Sequence, residues 1–212
     1  VAGSAPTPSD AAVAIDASID ASIDASIDAA QLDAYEACKQ DDRASCDALA
    51  AACDSGASAS CVKLGNVHRL ATKIDDVKAR AWFARACKPK GPFDGCVGLA
   101  EIDCRAGDKK AKRAAVSTLQ QACDGKSGPS CSFVGLMYTE GLCDVPYNAG
   151  SWSLGVGYYE RSCELGQLGG CTHLGLLVRA GHGVKKDERR GKQILDDACK
   201  RGDTVACEYA KQ

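Results

Sequence analysis

From Gln31 onward the apolar positions recur at the spacing of amphipathic helices, in register with a series of cysteines. Four residues before Cys87, Cys123, Cys163 and Cys199 stand Phe83, Leu119, Tyr159 and Leu195. Four residues further back stand the small Ala79, Ala115, Gly155 and Gly191. A large and a small residue four positions apart share one helix face, an arrangement that lets a neighbouring helix nest closely. A second helical signal follows each cysteine pair. Leu64, Leu99, Val134 and Leu174 supply its apolar contact, and Gly65, Ala100, Gly135 and Gly175 allow close approach. The intervening stretches, such as DSGASAS, DGKSGPS, ELGQLGG and KRGDTVA, are polar turns. A glycine a few residues after the first cysteine suits a left-handed helix C-cap. The predicted unit is helix A, short turn, helix B, with two cysteines facing each other across the turn.

Six such pairs run along the chain: Cys38/Cys46, Cys53/Cys61, Cys87/Cys96, Cys123/Cys131, Cys163/Cys171 and Cys199/Cys207. Their period of about 35 to 40 residues in the later part of the chain predicts an array of stacked hairpins rather than one large core. Composition agrees, since aromatics are only 5% of the chain and much of the 45% hydrophobic content is Ala and Cys. Fourteen evenly spaced cysteines among 212 residues point to an oxidising compartment, whether secreted, periplasmic or at the cell surface. Zinc binding fits poorly, because no pair has two to four intervening residues with histidine partners. A bridge within one hairpin closes a loop of about nine residues and is worth about 2.5 kcal/mol by chain entropy.

Residues 1–30 are a different material. The segment repeats A-S-I-D, holds Asp10, Asp16, Asp20, Asp24 and Asp28, and has no basic residue. Asp is a poor helix former and like charges four residues apart repel, so a flexible tether is expected, with a reach of about 30 Å. The remainder carries 26 basic against 23 acidic residues. Val1 reads as a processed or engineered start, and membrane attachment is expected only through a lipid anchor upstream of it.

The stretch from Cys171 to Cys207 carries Leu174-Gly175, then Gly181, Gly183, Val184 and Asp187, then a terminal Ala-Cys. In these features residues 31–212 resemble the Sel-one-like repeat proteins, relatives of the tetratricopeptide repeat, and specifically their secreted, cysteine-rich branch. The resemblance implies an all-α, right-handed α-solenoid of about five helix-turn-helix repeats, each stapled by a disulfide. Three departures stand out: a truncated first unit, since Cys53 follows Cys46 by only seven residues; an inserted connection around Cys143; and a stub of a last helix B. Cys104 and Cys143 remain outside the pairs. Neighbouring repeats would bring them together as an inter-repeat bridge; two free thiols or a contact to a partner are the alternatives.

The array architecture and the absence of a credible catalytic set point to a function: a non-catalytic scaffold of the cell envelope or secreted space, working as a monomer. It would bind a protein or extended peptide on a concave face lined by A helices. Trp82 and Tyr158, one step round from the core positions, are the expected anchors. The alternative implied by the family is β-lactam (penicillin) binding or weak β-lactamase-like hydrolysis. Ser60-Cys61-Val62-Lys63 and Lys126-Ser127-Gly128 match the short motifs of that chemistry, but no strand is expected to carry the second, and chance explains them better. His68, His173 and His182 have no metal-ligating spacing, so no metal or cofactor is expected. The basic runs Lys109 to Arg113 and Lys185 to Arg190 read as solvated helix faces, with no nucleic acid as partner.

Overall fold

Helices A of the array begin where an Asp or Asn accepts backbone N–H groups. Asp75 accepts from Lys78, Asp108 from Lys110, Asn148 from Ser151 and Asp187 from Arg190, at 2.7–3.1 Å. These bonds satisfy donors that a helix start leaves orphaned. They also explain the aspartate of the repeat signature, because Asp187 is a cap. The signature glycines act just before it. Gly181 is the left-handed C-cap of the preceding helix, with φ 80°. Gly183, at φ 70°, lies where a Cβ would come within 2.4 Å of the Trp152 backbone.

The computed structural model describes residues 29–70, 74–105 and 108–211. Most of the expected tether, residues 1–28, lies outside them; the first described helix begins at Ala29, two residues before the expected boundary. Among the described residues there are α-helices, one short 3-10 turn and no strand. The helices are α1 (Ala29–Lys39), α2 (Arg43–Asp54), α3 (Ser58–Leu70), α4 (Asp76–Ala86), α5 (Cys96–Arg105), α6 (Lys109–Asp124), α7 (Gly128–Glu140), α8 (Ala149–Glu164), α9 (Leu168–Ala180), α10 (Glu188–Lys200) and α11 (Thr204–Ala210). This is the helix-hairpin chain of an α-solenoid. The expected stub is α11, only seven residues long. Arg179 Nη1 donates to the Tyr209 carbonyl at 2.9 Å and Lys192 Nζ to the Ala210 carbonyl, so cations meet the negative end of this short helix.

Disulfides close the hairpins. Cys38–Cys46, Cys53–Cys61, Cys87–Cys96, Cys163–Cys171 and Cys199–Cys207 are bonded, with Cα–Cα separations of 4.9, 4.9, 4.6, 4.5 and 4.6 Å. Cys104, Cys123, Cys131 and Cys143 are disulfide-bonded as well. The short first unit has a simple geometry: α2 carries Cys46 near its start and Cys53 near its end, and so serves two bridges.

The chain forms two units, 26–130 and 131–212. In the first, Phe83 on α4 is 1% exposed and is gripped by glycine on both sides. A Cβ on Gly65 of α3 would lie 2.5 Å from Phe83 Cε1, and one on Gly98 of α5 would lie 2.6 Å from the same atom. In the second unit the same rule recurs. Gly135 sits against the ring of Tyr159, and Gly175 of α9 against Leu195 of α10. At that α9–α10 crossing Gly191 lies where a Cβ would meet the Arg179 backbone nitrogen at 2.6 Å. The expected turn glycines adopt positive φ at Gly56, Gly166 and Gly202, but the α6–α7 turn differs: there Lys126 takes the left-handed place at φ 69° and Gly125 does not.

Candidate functional site

Trp82 precedes Phe83 by one residue on α4, so it leaves the core and lies half-buried at the surface. The Arg85 guanidinium lies 4.9 Å from its ring centroid, and Arg85 is itself held by the Asp54 carboxylate of α2. A cation over an indole face fixes the ring orientation and contributes on the order of 0.5–1 kcal/mol at an exposed site. Paired charges frame this unit: Arg80 binds both carboxylate oxygens of Asp103, Arg69 reaches Glu101 at 2.6 Å, and Arg105 reaches Asp76 at 3.1 Å.

Tyr158 stands in the equivalent place on α8. Its ring lies parallel to that of Tyr138 on α7, centroids 5.8 Å apart and planes within 6°, and the Arg161 guanidinium lies 6.0 Å from its centroid. Leu154, Tyr158, Arg161 and Leu165 fall at helical spacing on one face, where Leu154 is 54% exposed and Leu165 40% exposed. Gly157 lies on this face with open space in front of it. The sequence reading chose Tyr158 and missed its stacking partner and the two leucines; their spacing along α8 is the signal that could have found them. A second surface group, Tyr147, Trp152 and His182, was also missed as a cluster. Tyr147 and Trp152 lie 5.9 Å apart, and the His182 ring meets Trp152 edge-on at 4.8 Å. His182 is therefore half-buried against an indole.

His173 packs flat on Tyr159, centroids 4.9 Å apart. Burial lowers its pKa to about 4, against a smaller opposing pull from Asp203. The same burial raises the Tyr159 phenol, which shares a hydrogen bond with Thr139. His68 is lowered too, by burial first and then by Lys78, with Asp75 acting the other way. The sign for His173 follows from its depressed native pKa. The unfolded chain takes up a proton near the ordinary 6.5, while the folded one resists until about 4. Stability is therefore expected to fall as pH drops from about 6.5 to about 4, and His173→Gln to remove that part of the slope; denaturant midpoints across this range check it.

The residues that matched serine-hydrolase motifs are placed against such chemistry. Ser60 is fully buried in α3, its Oγ makes no hydrogen bond, and Lys63 is 1% exposed. A substrate carbonyl cannot reach that hydroxyl. Ser127 lies in the α6–α7 turn, where its hydroxyl donates to Ser130 Oγ at 2.9 Å and accepts the Ser130 N–H at 3.4 Å. It caps a helix; it does not line a strand beside a nucleophile. Among the described residues no cluster of three His, Cys, Asp or Glu side chains could hold a metal ion, and no helix is long and apolar enough to cross a membrane.

Comparison with known proteins places this geometry. The Sel1 repeat family model matches residues 58–88, 128–167 and 170–203, each span running from a helix B into or through the next turn. Among curated proteins the chain is similar to cytochrome c oxidase assembly factor 7 of Xenopus tropicalis, with 28% identity over 149 residues. That match covers 66% of this chain and 63% of the relative. Assembly factor 7A of Xenopus laevis is 28% identical over 130 residues, covering 59% and 55%. The chain thus spans less than two thirds of the length of these relatives. Among solved structures, a Sel1 repeat protein from Oxalobacter formigenes shares the fold with TM-score 0.60 at 21% identity, covering 76% of this chain and 65% of that one. The cysteine-rich protein B of Helicobacter pylori matches with TM-score 0.50 at 29% identity, covering 63% and 92%.

Proposed function

We propose, from the premise that this chain is a cysteine-rich Sel1-repeat protein, that it is a non-catalytic scaffold holding a protein or extended peptide against the exposed faces of its A helices. Trp82 and Tyr158 are the anchors, and the working species is a monomer. The observation that carries this reading is the contrast between two kinds of side chain. The aromatic rings at the surface are held in place by guanidinium groups, while the serine and lysine that could suggest chemistry are sealed in the core. Preordered aromatic surface is what dominates binding energy at protein interfaces. The Xenopus relatives are named as assembly factors, a role that suits a protein whose work is to hold another polypeptide. The disulfides require an oxidising compartment; within that, we place the protein in the cell envelope or the secreted space.

The test is selection of binders from a displayed peptide library against the full chain, followed by affinity measurement on variants. Trp82→Ala and Tyr158→Ala are each expected to weaken the selected peptides tenfold or more with unchanged melting curves, the loss of about 1.4 kcal/mol or more seen at central aromatic contacts. Unchanged affinity in both variants would show that the A-helix faces are not the binding surface.

A further inference from the structure

The Cys163–Cys171 bridge differs from Cys38–Cys46, Cys53–Cys61, Cys87–Cys96 and Cys199–Cys207 in having a cation on one sulfur. Arg201, in the α10–α11 turn, reaches back over the preceding hairpin, with Nη1 3.9 Å from Cys171 Sγ and Nη2 3.4 Å from the Gly166 carbonyl. The two sulfurs are also unequal in access and in field. Cys163 is half-buried at the C-terminal end of α8, where a helix dipole disfavours negative charge. Cys171 is 2% exposed and lies in the first turn of α9, where the dipole favours it. An attacking thiolate therefore finds one sulfur it can reach, and the sulfur it would expel is the one whose charge is met by a guanidinium and a helix N-terminus. A better-stabilised leaving thiolate speeds exchange.

We propose that Cys163–Cys171 is a thiol-exchange site, at which an external thiol forms a mixed disulfide with Cys163. In this step the incoming thiolate forms a sulfur–sulfur bond to Cys163 Sγ, the Cys163–Cys171 bond breaks, and its electron pair leaves on Cys171 as a thiolate facing Arg201. The co-reactant is a small thiol or the active thiol of an oxidoreductase, species on which disulfide chemistry in oxidising compartments already depends. The Cys171 thiolate can then attack Cys163 Sγ, re-forming the Cys163–Cys171 bond as the bond to the external sulfur breaks and its electron pair leaves on that thiolate, so the α8–α9 staple opens and recloses without net loss. The neighbouring Cys199–Cys207 bridge is an internal control. Both of its cysteines are half-buried, no guanidinium among the described residues contacts either sulfur, and it lies in the same unit.

The experiment uses the full oxidised chain, limiting glutathione, rapid alkylation and peptide mapping over time. The expected result is that Cys163–Cys171 opens first, with glutathione on Cys163 and the alkyl label on Cys171. Arg201→Gln should slow this bridge about threefold relative to Cys199–Cys207, and Arg201→Lys should recover part of the rate. Arg201 is exposed, so folding of the variants is checked by their helical circular dichroism. Added salt should narrow the wild-type advantage by screening the cation. Glutathione found on Cys171, or a rate ratio that Arg201→Gln leaves unchanged in a folded protein, overturns the proposal.

Discussion

Phe83→Ala is expected to destabilise the 26–130 unit by about 3–5 kcal/mol, the usual cost of deleting a fully buried aromatic ring. The site cannot collapse to fill the space. The ring is held between Gly65 and Gly98, which have no side chain to move inward, and it is 1% exposed. Its near neighbour Trp82 provides the contrast, because Trp82→Ala removes a ring that lies at the surface over Arg85. Guanidinium unfolding of both variants checks this: a large midpoint shift for Phe83→Ala and a small one for Trp82→Ala. Equal shifts would mean that Phe83 contributes no more to the core than Trp82 does.

Reduction of the disulfides is expected to abolish cooperative folding at 37 °C. Each hairpin bridge closes a loop of about nine residues and is worth about 2.5 kcal/mol, while a domain's whole net stability is about 5–15 kcal/mol. Five bridges of this kind are distributed from α1 to α11. The core they support is thin, with alanine at Ala79, Ala86, Ala100, Ala115, Ala122, Ala198 and Ala206. Thermal melts by circular dichroism, with and without a phosphine reductant, measure the effect. A reduced protein that melts as sharply and as high as the oxidised one would show that packing alone holds the array.

The helical grammar was legible because it is periodic. The large residue four before the first cysteine and the glycine four after the second were read from spacing, and they are the atoms that touch: Tyr159 on Gly135, Leu195 on Gly175, Phe83 on Gly65. Repetition reinforces such signals. What was not legible was singular. Lys126 holds a left-handed turn position that sequence reading gives to glycine, since an L side chain there is unfavourable but tolerated at a single residue. The Tyr147–Trp152–His182 cluster joins an inserted connection, a helix start and the next signature loop, segments that no period links. For Trp82 the sequence placed the residue one step off the core. Only the coordinates show the Arg85 guanidinium over its ring and the Asp54 carboxylate behind it.

The most direct measurement is non-reducing peptide mapping of the full chain by mass spectrometry, with free thiols counted. A stapled array predicts twelve cysteines paired within their own hairpins, Cys123 with Cys131 among them, a Cys104–Cys143 link between repeats, and no free thiol. Several free thiols, or cysteines joined between hairpins out of this order, would contradict a solenoid stapled repeat by repeat for an oxidising compartment, and would make the cysteines themselves the first candidates for chemistry.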